Sequence, residues 1–339
     1  MKQQRFLAVV VLGLMVALPL AGCGGFRFVI DVVPAVDTLR ETTVLEDRSA
    51  GWGADKVAMI DVTGVLSNGD AGLNPLSSGE NPVGRLAESL RKAAEDRRVR
   101  AVVLHVNSPG GTVTASDLMY RELKHFKAQT GKPIVVLMSD LAASGGYYIS
   151  MAGDELIANP TTVTGSIGVI MQTFNVSEGM KRIGIQAEAI TSGPNKAVGS
   201  PWAPMSTEHR ALLQGIVNEM YATFRGVVVA NRPDLDGPGL EEITDGRVIT
   251  GAAAFDLGVV DALGDYRDAF AAAKRRAGIT TAKLVKYHRP TKYVGSAYAQ
   301  GPGGGAAPAA QVNLLQLNVE NAGAADASPF LYLWDPAAW

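Results

Sequence analysis

The sequence predicts an α/β domain built on a mostly parallel sheet with helices packed against it. Short β-branched, apolar runs alternate with longer stretches whose apolar residues recur at helical spacing. Their order, strand–helix–strand–helix–strand, is that of parallel βαβ units. Three glycine-bearing loops follow predicted strands, where α/β sheets present their ligands.

The chain does not begin with this pattern. Lys2 and Arg5 form a basic start, followed by an apolar run from Phe6 to Leu20. A membrane-spanning helix needs about 20 apolar residues, so this run is short for a span and suits a secretory leader. Leu20-Ala21-Gly22-Cys23 comes next and resembles the lipobox of bacterial lipoproteins, with Cys23 as the residue that would carry lipid; a plain secretory leader followed by a cysteine is the alternative. Cys23 is the only cysteine, so no disulfide can form within the chain. Residues 1–22 are therefore expected to be a leader, and residues 23–54, without sustained periodicity, a tether.

The folded domain is expected over residues 55–290. Val57 to Val62 reads as a strand. Pro82 to Arg97 reads as a helix, with Val83, Leu86, Leu90 and Ala94 on one face and proline near its start. The charge run Arg91 to Arg100 reads as the solvated end of that helix. Val99 to Val106 is a β-branched run and a candidate buried strand; Thr114 to Gln129 is a helix, and Pro133 to Met138 a further short strand. Ser206 to Val229 and Asp265 to Arg276 read as helices, and Lys283 to Tyr287 as a final strand. Residues 291–339 are expected to be a low-complexity linker and a tail. Gly, Ala and Pro dominate Gly301 to Ala310, whereas Pro329 to Trp334 is apolar enough to dock on the body or on a neighbouring subunit. Basic residues are scattered and the formal net charge is −2, which gives no footprint for nucleic acid.

The chemistry-bearing residues sit in the three loops and one lysine. Asn107-Ser108-Pro109-Gly110-Gly111 follows a strand, and its glycine pair can turn backbone N–H groups outward or simply make a tight turn. Ala142-Ala143-Ser144-Gly145-Gly146-Tyr147-Tyr148 puts a serine among small residues at a strand-to-helix corner, a geometry open to a nucleophile or to a helix cap. Thr164-Gly165-Ser166-Ile167-Gly168-Val169 alone reads as a turn. None of the four histidines, His105, His125, His209 and His288, shows a triad pattern. A lysine can act as base if its pKa falls from about 10.4 to roughly 7–8. Lys196, in a loop of small residues without a nearby acid, fits that need, and also fits an exposed loop lysine.

From about Lys56 to Tyr287 these pieces together resemble the signal peptide peptidase A family of serine proteases, which share the Clp protease/crotonase-like fold of repeated ββα units. The match runs through Asn107 to Gly111, Ala143 to Tyr148, Thr164 to Val169, Lys196 with Ser200-Pro201, and Asp245 to Gly251 ahead of Leu257 to Asp261. The resemblance implies Ser144 as nucleophile, Lys196 as general base and Ser166 as the residue that orients the lysine. It implies an oxyanion hole from Gly110, Gly111 and Gly145, each donor being worth roughly 3–4 kcal/mol in the transition state. It calls for no cofactor and no metal. The expected substrates are cleaved signal peptides or other short apolar segments. The expected assembly is a homo-oligomeric ring pairing Ser144 of one subunit with Lys196 of its neighbour, held by the Cys23 lipid at the extracytoplasmic face of the bacterial cell membrane. Two rival readings share the fold: an acyl-CoA enzyme, against which the leader argues, and a non-catalytic scaffold for a membrane protein, against which the Ser144, Lys196 and Ser166 set argues.

Overall fold

A computed structural model of the chain describes residues 38–68, 81–235, 237–289 and 330–334. The expected leader, Cys23 and most of the linker lie outside them. Among the described residues, one sheet has the strand order β1-β11-β2-β3-β5-β6-β10, with β7 beside β5 and β9 beside β7. The strands are β1 (Arg40–Glu46), β2 (Lys56–Thr63), β3 (Val99–Ser108), β5 (Ile134–Ala143), β6 (Glu155–Ala158), β7 (Val163–Gly165), β9 (Val248–Thr250), β10 (Ala262–Leu263) and β11 (Lys283–His288). All neighbours on the path from β11 to β10 run parallel; β1 on β11 and β9 on β7 are antiparallel. The central strands are buried on both faces, hence their continuous Val/Ile/Leu runs.

The helices begin and end where side chains or φ angles dictate. In α1 (Pro82–Glu95) proline stands in the first turn, and the Asn81 side chain accepts from the N–H groups of Val83 and Gly84. Helix α2 (Val113–Thr130) is capped by Thr112 and closed by Gly131 in the left-handed region. Short α3 (Gly145–Ser150) and α4 (Ser177–Arg182) follow, then α5 (Thr207–Asn231), α6 (Gly237–Ile243) and α7 (Gly251–Asp256). Helix α8 (Tyr266–Ala277) opens with a capping box of Asp265 and Asp268. Two buried apolar clusters, one on each sheet face, make the core: the larger lies under α1, α2 and α3, the smaller under α8.

Two strands lie outside the expected domain. Arg40–Glu46, within the segment read as tether, is an edge strand fixed by Lys56, which pairs with Glu41 and, at 2.9 Å, with Asp96. Its alternation is masked in the sequence because most of its residues stay exposed or half-buried at the edge. Lys283–His288 is not the final strand: Phe330–Leu333 forms β12, antiparallel between β4 (Gly110–Thr112) and β8 (Ile170–Met171) in a second, three-stranded sheet. No helix among the described residues is long and apolar enough to cross a membrane.

Candidate active site

The site is assembled where β5 and β7 end. The two strands run parallel, with Ala142 opposite Thr164 and Ala143 opposite Gly165, so the next residues, Ser144 and Ser166, are brought side by side. The Ser144 amide donates to the Gly165 carbonyl at 2.8 Å, and the Ser166 amide to the Arg247 carbonyl at 2.6 Å. Both serines have positive φ, 53° and 51°, and are the only non-glycine residues described that do. Such backbone costs about 1–3 kcal/mol, and it concentrates at working sites. Ser144 is 1% exposed and Ser166 8%, and the Ser144 hydroxyl makes no cap hydrogen bond on the helix it precedes.

The helix behind Ser144 is anchored by its two tyrosines. The Tyr147 hydroxyl donates to the Val259 carbonyl at 3.0 Å, and that of Tyr148 to Asp117 Oδ1 at 2.9 Å. Burial, the first cause, pushes both phenols well above the usual tyrosine range; the nearby carboxylates of Asp261 and Asp117 add to it.

The expected oxyanion loop packs directly on this corner. A Cβ on Gly110, whose φ is +99°, would fall 2.6 Å from the Gly145 nitrogen; one on Gly145 would fall 2.4 Å from Ser116 Oγ. The backbones at 110 and 145 can approach only because both lack a side chain. Sequence reasoning missed how the loop is held. Ser108 is fully buried; its Oγ donates to the Gly64 carbonyl at 2.7 Å and accepts the Gly110 amide at 3.1 Å. Asn107 Oδ1 accepts the Leu141 amide at 3.2 Å. The Gly110 N–H is thus already engaged. Gly111 differs: Leu66 takes the Gly110 carbonyl and the Thr112 amide, each at 2.8 Å, so the polar groups of Gly111 face the other way, toward β12. The only sequence signal for these roles was the polar pair's position at the end of a buried strand.

Among the described residues, no hydrogen bond joins Lys196 to Ser144 or Ser166. The lysine is exposed on the loop after Gly193, and its amine makes no hydrogen bond or ion pair with a described residue. The loop leans on β8: a Cβ on Gly199 would lie 3.8 Å from Met171 Cε.

Comparison with known proteins adds the following. The profile of Peptidase family S49 matches residues 126–280. The putative signal peptide peptidase SppA of Enterococcus faecium is 34% identical over 73% of this chain and 71% of that protein. The chloroplastic serine protease SPPA of Arabidopsis thaliana is 36% identical over 70% of this chain, which spans only 35% of that protein's length. Among solved structures, a mutant of the 1510-N membrane-bound stomatin-specific protease aligns with TM-score 0.41 and 16% identity over 63% of this chain and 83% of that one. A mutant ClpP1 of Listeria monocytogenes aligns with TM-score 0.39 and 15% identity over 62% and 93%.

Proposed function

This chain belongs to peptidase family S49, the signal peptide peptidase SppA family, and from that premise we propose that it is a serine endopeptidase whose nucleophile is Ser144. The observation that carries the reading is the strained, buried Ser144 placed beside Ser166 by the register of β5 and β7 and closed over by Gly110 and Gly145. A nucleophilic serine needs a fixed hydroxyl, a base within about 2.6–3.2 Å and donors aimed at the developing oxyanion. The amides of Gly111 and Gly145 are the donors the packing favours, with Gly110 acting by its lack of a side chain.

The base is Lys196, supplied by a neighbouring subunit in a homo-oligomeric ring. What supports this is the separation of roles within one chain: Ser144 is buried, while the Lys196 amine is exposed and unengaged among the described residues. Ser166, next to Ser144, receives that amine and orients it. Attack of Ser144 Oγ on a peptide carbonyl, with its proton passing to the lysine, forms an acyl-enzyme. Protonation of the departing amine by the lysine, then water activated by the same group, completes hydrolysis. The substrates are cleaved signal peptides or similar short apolar segments, bound as extended strands. Cys23 carries the lipid that holds the ring at the extracytoplasmic face of the membrane.

Labelling with a serine-directed fluorophosphonate tests the nucleophile. The wild-type chain is expected to react and Ser144→Ala not to; equal labelling of both would remove Ser144 from the chemistry. Membrane fractionation tests the anchor: Cys23→Ala is expected to free the processed protein from membranes, and retention after leader removal would refute the lipid.

A further inference from the structure

The sheet face under α8 carries a cavity that the proposed chemistry does not use. Side chains alternate along a strand, so His105 on β3 and Ser139 on β5 share the face whose Val103 and Leu137 pack under α8. The larger cluster, with Tyr147 and Tyr148 close behind Ser144, fills the opposite face. Beside α8 the first face turns polar. A cavity of about 330 Å³ opens there, with Met59 and Leu137 in its walls beside His105, Ser139, Asn159 and Asp265. That volume is at the small end of ligand sites.

His105 gives the cavity its chemistry. Its side chain is 9% exposed, and its Nδ1 lies 2.9 Å from Asp61 Oδ1. Lys286 Nζ donates to the other Asp61 oxygen at 2.9 Å, which fixes Asp61 as a carboxylate that only accepts. The proton of the His105 bond is therefore on Nδ1. Lys286 already balances the Asp61 charge, so the cluster is neutral when the ring is. The neutral ring keeps a bare lone pair on Nε2. Among the described residues Nε2 has no partner, and neither has the Ser139 hydroxyl nor the Asn159 side-chain amide. A nine-tenths buried ring nitrogen without a partner, in the wall of a cavity, points to an occupant that donates to it.

The start of α8 sets the sign of that occupant. The Asp265 amide donates to Asp268 Oδ2 at 2.8 Å, and the Arg267 amide to Asp265 Oδ1 at 2.7 Å. Arg267 also reaches Asp265 Oδ2 at 3.2 Å, with its guanidinium 4.6 Å from the centre of the Tyr266 ring. Arg267 is exposed, so it offsets the Asp265 charge only in part. An anion would find these capping amides taken and two carboxylates beside it. A cation that donates hydrogen bonds would find the Asp265 carboxylate, the Asn159 oxygen and His105 Nε2.

We propose that this cavity binds a small organic ammonium compound, its charged nitrogen donating to His105 Nε2, Asn159 and Asp265 and its apolar part resting on Met59 and Leu137. The site is separate from the Ser144 corner and does not rest on the peptidase reading. The ammonium supplies several donors from one atom, which is what a group of converging acceptors requires. The carboxylate contact is charge-assisted and carries the selectivity for a cation over a neutral molecule of the same shape.

The test uses the full chain at pH 8 with three probes of one shape: butylamine, butanol and butyrate. The methionine methyl groups are labelled with carbon-13, and Met59→Leu assigns the Met59 signal. Butylamine is expected to move the Met59 methyl resonance with a Kd on the order of millimolar, as suits a ligand of so few atoms. Butanol should bind about tenfold more weakly, and butyrate should leave the signal in place. Asp265→Asn keeps the helix cap, because asparagine caps as well as aspartate does. It should weaken butylamine binding at least about tenfold and leave butanol binding unchanged. His105→Leu removes the central acceptor but also strips Asp61 of a partner, which puts folding at risk. Asn159→Ala, at the half-buried rim, therefore carries the same test and should weaken butylamine by about tenfold. A Met59 resonance that butylamine does not move would overturn the site. Butyrate binding as well as butylamine would overturn the ammonium selectivity. Unchanged butylamine affinity in either Asp265→Asn or Asn159→Ala would overturn the placement of the charged nitrogen.

Discussion

At the scale of single residues, the strained serines make separable predictions. The Ser144 backbone, with φ 53° and ψ −115°, suits glycine and strains any residue with a Cβ. Both Ser144→Ala and Ser144→Gly are expected to lower kcat by at least about 10⁴-fold. Their stabilities should differ: the glycine form should be about 1 kcal/mol more stable than the alanine form, since only glycine relieves the strain. Urea unfolding of the pair decides it, and a more stable alanine form would show that Ser144 is not strained in solution. Ser166→Ala keeps the hydroxyl of Ser144 but removes the proposed orienting group. Its activity should fall less than that of Ser144→Ala, and its pH–rate profile should move to higher pH. An unchanged profile at full activity would exclude Ser166 from the site.

At the scale of elements, three strands are tied together by a buried ionic cluster outside the proposed chemistry. Asp61 on β2 accepts His105 Nδ1 from β3 and Lys286 Nζ from β11, both at 2.9 Å. Burial acts to raise the Asp61 carboxyl, but the His105 hydrogen bond and the His105 and Lys286 charges more than offset it and hold it below the ordinary carboxylate range. The sign follows from proton linkage. A depressed carboxylate contributes stability in full above its unfolded value near 4, and the contribution is lost as pH falls through the folded value. Asp61→Asn, which leaves Lys286 without its carboxylate, should cost about 3–5 kcal/mol at pH 7 and flatten the acid limb of the stability curve. Denaturant titrations from pH 3 to pH 7 measure both, and a cost below about 1 kcal/mol would show the cluster to be slack. Much of this scale was legible in the sequence. The helix predicted from Ser206 to Val229 is Thr207–Asn231 with Ser206 as its cap, and that predicted from Asp265 is Tyr266–Ala277 with Asp265 as its cap. Those elements carry their signals locally, in spacing and caps. Edge strand β1 was not legible, because an exposed strand lacks the apolar alternation that marks a buried one.

At the scale of the whole molecule, the contrast between a buried Ser144 and an exposed Lys196 leads to a test by mixing. Ser144→Ala and Lys196→Ala subunits, each inactive alone, should regain part of the activity after subunit exchange, because some interfaces then pair an intact serine with an intact lysine. No recovery after exchange verified by mass would place the dyad within one chain. The losses should not add in a double mutant, since the two residues act as a unit. A surface is available for such contacts: Phe174, Ile183, Ile190 and Trp202 are all exposed along the stretch that carries Lys196.

What the sequence determined by itself is whatever depends on neighbours a few residues apart. The alternation of strands and helices, the caps and the glycine corner at Ser144 all belong here, because hydrophobic period and turn chemistry act over that range. What only the tertiary structure decided depends on pairing across long separations. The register of β5 against β7 puts Ser166 next to Ser144, and the turn held by Ser108 presents Gly111 rather than Gly110 toward β12. The tail could have docked anywhere that buries its apolar face; its place between β4 and β8 follows from unpaired strand edges contributed by residues more than a hundred positions away. No local pattern in Phe330 to Leu333 records those edges, since main-chain pairing is indifferent to the side chains it joins.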